Sequence, residues 1–380
     1  MEVLFLTKWY PNETNPIFGV YIREHAKAVA NYANVTVLHI AGIDPALKQN
    51  WELRQEENQA LTQGLPTYRL VYRRPRVPKT GTIHCIRHLQ RAFQQLSGEG
   101  RDFHIIHANV YNTALAGVLL GKRFGLPVVI SEHATAFARG KIRGLERQKI
   151  KLAFAHADRV CPVSKALQKH IEAAGIHANF HVVPNVVDTH HFIPIATPAT
   201  KTAQKRLLLV ALLTPVKGVD YLLKALAALK EKRSDFVLDI VGDGPNREEY
   251  EQLTQHLNLQ NQVHFHGLKR KEEVVQFMQQ CDIFVLPSLL ETFGVVYIEA
   301  MACGKPVLAA AIDGPSELIT EQTGRLIPPA DVDALAKALD DMLDHYQDYD
   351  ATHIARYARM QYGHEAVGKR FFDIYQTLIM

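Results

Sequence analysis

The 380-residue chain has only four cysteines, Cys85, Cys161, Cys281 and Cys303, and they stand in no CxxC spacing. That counts against a zinc knuckle and a disulfide framework and predicts four reduced core residues. No run approaches about eighteen consecutive apolar residues, the length a membrane-spanning helix needs. The opening MEVLFLTKWYP lacks the charged start and the length of a signal peptide, which predicts a cytoplasmic protein. No GxGxxG or Walker sequence follows a strand-like run, which argues against a standard dinucleotide site and a P-loop. There is no solenoid repeat and no low-complexity tract.

What is present is enough apolar material for two cores, 47% of the residues. The net charge of +4 hides an asymmetry: residues 1–188 carry 24 Lys and Arg against 14 Asp and Glu, and the remainder 19 against 25. Much of the excess lies in RLVYRRPRVPK (69–79) and RGKIRGLERQKIK (139–151). These runs suit a phosphate-bearing partner or an anionic lipid surface, or are simply solvated loop and helix faces. Nothing indicates a nucleic-acid partner.

Short β-rich runs alternate with helical patterns along the whole chain, which favours parallel sheets with crossover helices, an α/β fold. The strand candidates are EVLFLT, NVTVLHI, FHIIHA, LPVVIS, RVCPV and FHVVP, then RLLLVA, FVLDIV, QVHFHG, DIFVLP, KPVLAA and GRLIP. Two doubly wound sheets in tandem follow, joined within HHFIPIATPATKTAQK (190–205), a stretch rich in Pro, Thr and Ala and poor in periodicity.

The stretch ETFGVVYIEAMACGKP (291–306) poses a sharper question. From Val295 to Cys303 it reads as a helix that is apolar all round except for Tyr297 and Glu299. Such helices are usually buried, yet an ionised carboxylate is costly to bury without a partner. In open α/β sheets the ligand lies beyond the carboxyl ends of the strands. DIFVLP is then a strand, SLLETFG the loop leaving it, and the helix starts near Gly294 and is stopped by Gly304. Thr292, Phe293 and Gly294 present amides at a helix amino end, which favours an anion, and Glu299 is placed to accept hydrogen bonds from a diol such as a ribose. TPVKGVD (214–220) puts Lys217 and Gly218 at another strand exit, although a Lys-Gly turn alone is more often a solvated loop. VGDGP (241–245) is a tight turn that admits a ligand or is only a turn. In HGLKRKEE (266–273) the backbone around Leu268 is a candidate to meet the edge of a base. The Asp331 to Asp333 pair reads as a helix cap.

VLPSLLETFGVVYIEAMACGKPVLAAAIDGPSELI resembles the signature of glycosyltransferase family 4, two glutamates separated by seven residues around a Phe-Gly turn. TPVKGVDYLLKA, VGDGP, HGLKRKEEVVQFM, VVPNVVD and ISEHATAF match further family segments, and TKWYPNETNPIFGVYIREHAKAVA is similar to the opening of polysaccharide-forming members. The resemblance implies the GT-B fold, two Rossmann-like domains with parallel sheets facing across a cleft. Residues 1–190 would form the acceptor-side domain, 191–363 the nucleotide-sugar domain, and 364–380, including FDIYQTLIM, a helix returning to the first. It also implies roles. Glu299 would bind the donor ribose, and Glu291 would lie near the transferred sugar and the charge developing at its anomeric carbon. Phe293, Gly294 and Val295 would offer amides to sugar and diphosphate, and Lys217 would neutralise the leaving diphosphate. His133 would face the donor sugar, and Gly19 would let backbone approach the phosphates.

Family members retain anomeric configuration and need no metal or other cofactor in this arrangement. The reaction implied is transfer of a hexose from a nucleotide-diphosphate sugar to a glycan or lipid-linked acceptor in bacterial-type surface polysaccharide synthesis, with peripheral association at an anionic membrane. The sequence departs from the pattern twice. Many relatives have an arginine five positions before the lysine, where Leu212 stands, and many have a glycine pair where Gly19 is single. A sugar-nucleotide epimerase on the same plan and a catalytically weak nucleotide-sugar-binding protein are the rival readings. An NAD-dependent dehydrogenase is disfavoured by the missing glycine fingerprint.

Overall fold

The β-branched runs form two separate sheets in the computed structural model, which describes residues 1–74, 81–195 and 204–379. The chain divides into two compact units: unit 1 is Met1–Val186 with the C-terminal segment from His364, and unit 2 is Val187–Gly363. The division falls four residues before the boundary expected at 190/191, and the stretch 190–205 expected to hold the join includes residues 196–203, which lie outside those described.

Unit 1 contains β1 (Glu2–Thr7), β2 (Asn34–Ile43), β3 (Trp51–Gln55), β4 (Thr67–Tyr72), β5 (Ile105–Asn109), β6 (Val128–Glu132) and β7 (Arg159–Pro162). Their order is β3-β4-β2-β1-β5-β6-β7, parallel except for β3, which runs antiparallel to β4. The chain winds outward from β1 through β2 and β4, then returns to lay β5 on the other side of β1. Fully buried Val3, Phe5, Ile105 and Val129 meet Ile22 and Val29 of helix Val20–Ala30 in the core. Helix His364–Ile379 packs on that same helix so closely that a Cβ on Gly368 would stand 2.0 Å from the Ala28 carbonyl oxygen. It is anchored by buried Phe371 and Tyr375, whose hydroxyl lies 2.5 Å from His107 Nδ1, and by His364 Nε2, 2.9 Å from Glu24.

Unit 2 contains β8 (Lys205–Val210), β9 (Phe236–Val241), β10 (Val263–Gly267), β11 (Ile283–Leu286), β12 (Val307–Ala310) and β13 (Gly324–Ile327), all parallel in the order β10-β9-β8-β11-β12-β13. The winding rule is the same, so each sheet reverses direction beside its first strand, between β1 and β5 in unit 1 and between β8 and β11 in unit 2.

Two expectations change. FHVVP is not a strand and makes only one bridge, Phe180 to Val160. Conversely WELRQ and TYRLVY are strands. WELRQ is an edge strand carrying Glu52 and Arg54, whose polarity hides its period. Asp331 caps helix Val332–His345 by accepting from the Ala334 amide at 2.9 Å, and all four cysteines are buried and unpaired. Among the described residues no helix is long and apolar enough to cross a membrane.

Candidate active site

Each switch point gathers loops at the carboxyl ends of parallel strands, where an open α/β sheet holds its ligand. In unit 2 the exit of β8 runs past Leu212 and a single 3-10 turn, Pro215–Lys217, to Gly218. Gly218 has φ of 68°, and a Cβ there would stand 2.2 Å from the Pro287 carbonyl oxygen at the exit of β11. Only glycine allows the two loops to touch. The Leu289 amide, donating to the Val216 carbonyl at 2.7 Å, ties them together.

That contact delivers Lys217 to Glu291. The ammonium donates to Oε1 of the carboxylate, and both side chains are mostly buried. Ser288, with no exposed surface, donates its hydroxyl to the same Oε1 at 3.3 Å, and the Gly314 amide donates to the Glu291 carbonyl at 3.2 Å. Glu291 is therefore pinned by backbone and side chain although it lies in a loop. Thr292 and Phe293 lead to Gly294, the N-cap of helix Val295–Ala302; the Tyr297 amide donates back to the Gly294 carbonyl at 3.1 Å, and the amides of Val295 and Val296 stand at the positive end of the helix dipole.

The same helix resolves the question raised by Glu299. Tyr297, Ile298, Ala300, Met301 and Ala302 are buried, and the Tyr297 hydroxyl donates to the Leu286 carbonyl at 3.0 Å. Val295, Val296 and Glu299 share the remaining, half-exposed stripe. The helix is thus not buried all round, and its carboxylate sits on the one face open to a ligand. Leu212 is 63% exposed and so is not a core residue. Leu268, also exposed, follows β10, two strands from β8. The VGDGP turn is stitched to the β8 exit by the Leu213 amide, which donates to the Asp243 carbonyl at 2.9 Å.

In unit 1 the exit of β1 folds back on itself. Gly19, with φ of 72°, closes it, because a Cβ there would stand 2.4 Å from the Trp9 carbonyl oxygen. His133 follows β6 and is buried beside the rings of Tyr21 and His25, at centroid distances of 4.7 and 5.0 Å. Burial, reinforced by His25, holds its pKa well below the ordinary histidine value, so the ring is neutral. Its Nδ1 donates to Asn185 Oδ1 at 3.0 Å, which leaves the lone pair on Nε2. The preceding Glu132 is fully buried and accepts from the amides of His133 and Ala134, each at 2.8 Å, and of Tyr111 at 2.7 Å. Burial pushes its pKa up to about 7 while the three amides pull it down.

The structure brings Lys217, Gly218, Glu291, Thr292, Phe293, Gly294, Val295 and Glu299 to the β8 and β11 exits, and Gly19 and His133 to exits of β1 and β6 in the other unit. Ser288, Asn185 and Glu132 were not singled out by the sequence. All three stand inside the quoted motifs, Ser288 three residues before Glu291, Asn185 within VVPNVVD and Glu132 beside His133 in ISEHATAF, where their spacing was the available signal. The basic runs divide. Arg69 turns inward from β4, donating to Glu56, to the Pro11 carbonyl at 2.8 Å and contacting His39 at 2.6 Å, so it is not available to a partner. Residues 75–79 of that run lie outside the described residues. In the second run Arg139, Lys141, Arg143, Arg147 and Lys151 are exposed together with Leu145, as is Leu152 just after it. Among the described residues no three His, Cys, Asp or Glu side chains are grouped to hold a metal ion.

Comparison with known proteins places this geometry. Residues 18–191 match the model for Glycosyltransferase Family 4, and residues 195–361 the model for Glycosyl transferases group 1. The chain is 30% identical over 272 residues, 66% of this chain and 70% of the relative, to the GDP-mannose-dependent monoacylated alpha-(1-6)-phosphatidylinositol monomannoside mannosyltransferase of Corynebacterium glutamicum. It is 28% identical over 271 residues, 64% of each chain, to the D-inositol 3-phosphate glycosyltransferase of Corynebacterium aurimucosum. Among solved structures, Anabaena HepE in complex with UDP superposes with a TM-score of 0.78 at 21% identity, covering all of both chains. Sucrose-phosphate synthase from Thermosynechococcus elongatus gives 0.73 at 22%, covering 100% of this chain and 99% of that one.

Proposed function

The chain belongs to glycosyltransferase family 4, and we propose that it is a retaining hexosyltransferase. It moves a sugar from a nucleotide-diphosphate sugar to a glycan or lipid-linked acceptor, in bacterial-type surface polysaccharide synthesis. The observation that carries this reading is the pairing of Lys217 with Glu291 at the switch point of unit 2, beside the amino end of helix Val295–Ala302. A cation next to a helix amino end suits a diphosphate, and a carboxylate beside it suits a sugar acquiring positive charge.

In this mechanism the acceptor oxygen bonds to the anomeric carbon on the face from which the diphosphate oxygen departs, and the acceptor proton passes to that departing oxygen. Glu291 stabilises the cationic sugar without bonding to it. Lys217 and the amides around Phe293, Gly294 and Val295 take up the leaving charge, so the reading assigns no step to a metal. Glu299 accepts from the ribose hydroxyls, Gly218 and Leu268 flank the nucleotide, and Gly19 and the neutral His133 keep the roles toward the donor that the family resemblance implies. The relatives named for phosphatidylinositol and inositol phosphate acceptors support an anionic acceptor. The exposed cations and leucines of residues 139–152 are suited to an anionic membrane face.

The test is a panel of UDP-, GDP- and ADP-sugars read by thermal stabilisation, followed by product analysis with the donor that binds. A ligand selective for the native state raises its stability by mass action. Stabilisation by one donor and a product of unchanged anomeric configuration are expected. An inverted product would remove the retaining mechanism, and conversion of the donor without an acceptor would favour an epimerase.

A further inference from the structure

Glu291 Oε1 receives two donors in the ligand-free protein, the Lys217 ammonium and the Ser288 hydroxyl. The two differ in what a donor substrate does to them. Lys217 is partly open, 21% exposed, and a diphosphate bearing more charge than one carboxylate competes for it directly. Ser288 has no exposed surface and sits on the first residues after β11, beside Tyr297, whose hydroxyl is itself fixed on the Leu286 carbonyl. It cannot follow a ligand.

We propose that Ser288 is the positioning residue of the site: once the diphosphate draws Lys217 away, the Ser288 hydroxyl alone holds Oε1 and keeps the carboxylate aimed at the anomeric carbon. The Gly314 amide fixes the backbone of the same residue but leaves the side-chain torsions free. The paired state of the empty site follows as well. Without donor, Lys217 and Glu291 neutralise one another, and binding of the diphosphate is what releases the carboxylate for the sugar. This inference rests on the role assigned to Glu291 under the proposed function.

The experiment is a double-mutant cycle of Ser288→Ala and Glu291→Gln. Turnover is followed as nucleoside diphosphate released from whichever UDP-, GDP- or ADP-sugar stabilises the protein, and binding of UDP, GDP or ADP is followed by calorimetry. Ser288→Ala removes one atom from a small buried side chain, and thermal denaturation checks that it folds. The expected result is a kcat lowered about tenfold, nucleoside diphosphate binding within about twofold of the parent, and no further loss when Ser288→Ala is added to Glu291→Gln. Parent-like turnover of Ser288→Ala, or an equal loss in the Glu291→Gln background, overturns the positioning role while leaving the proposed function intact. Parent-like turnover of Glu291→Gln overturns both.

Discussion

The two units share one winding plan and fill it with opposite chemistry. Unit 1 carries 26 Lys and Arg against 15 Asp and Glu, and unit 2 carries 17 against 24. Yet at the strand exits the signs are reversed in character. Basic unit 1 presents a neutral imidazole, with a carboxylate tied up by three amides behind it, while acidic unit 2 presents a lysine and a helix amino end. Among the described residues the buried histidines, His25, His39, His88, His107, His133 and His364, all lie in unit 1. Net charge therefore says little about which unit takes an anionic ligand. On the proposed reading what decides it is the handful of groups at the switch point, because those are the ones a ligand there would touch undiluted by solvent.

If unit 2 holds the reacting charges, its substitutions should divide cleanly between turnover and binding. Glu291→Gln should lower kcat by about a hundredfold while changing nucleoside diphosphate affinity by about threefold or less, because its partner is the cationic sugar of the transition state. Equal losses in steady-state and calorimetric measurements would break the division. Glu299→Gln should do the reverse, folding normally and losing about tenfold in donor affinity, since one charge-assisted hydrogen bond to a diol is weakened. Parent-like donor binding in calorimetry would end the ribose assignment.

Acid should separate the units in stability. Burial holds His25, His39 and His88 down to about 4 and His107 and His133 well below the ordinary value, so the folded state binds fewer protons than the unfolded chain as pH falls from about 6.5 toward 4. The stability these groups contribute is complete above about pH 6.5 and is lost on acidification through that window. Glu132, pushed up to about 7, runs the other way, its contribution being lost as pH rises, but it is one group against five. Unit 1 should therefore open first at about pH 4.5, with a melting temperature lower by about 5 °C or more than at pH 7. Hydrogen exchange would show it in peptides from β1, β5 and β6; earlier opening of β8 and β11 would contradict it.

The smallest effect is expected at Leu212. Because the side chain is 63% exposed, Leu212→Arg costs no core packing and should tighten nucleoside diphosphate binding by about two- to fivefold through a partly screened contact. Unchanged or weaker binding would mean that the β8 exit does not face the phosphates.

Much of this organisation was legible in the sequence, and the parts that were not share a physical reason. Buried parallel strands such as EVLFLT and FVLDIV announce themselves as apolar runs, and Gly294 and Gly304 mark the ends of the helix between them. WELRQ and TYRLVY did not, because an edge strand with Glu52 and Arg54 lacks an apolar period and the Arg69 of its neighbour looks like surface charge until Glu56 and His39 are seen around it. Glu291 and Lys217 could be singled out as residues, but their direct pairing depends on two loops touching at Gly218, which spacing along the chain does not encode. The supports Ser288, Asn185 and Glu132 escaped for the same reason. Their function lies in a partner brought close by the fold, not in their own chemistry.

The most direct test of unit 2 as the diphosphate-binding unit is calorimetry of the folded Lys217→Ala variant with UDP, GDP and ADP. On the proposed reading Lys217 is the cation that meets the diphosphate, and charged hydrogen bonds contribute about 1.5 to 3 kcal/mol each. Affinity for the nucleoside diphosphate that the parent binds should fall by roughly ten- to more than a hundredfold. Parent-like affinity in Lys217→Ala would contradict the account, because the diphosphate would then have to be held elsewhere than at the exits of β8 and β11.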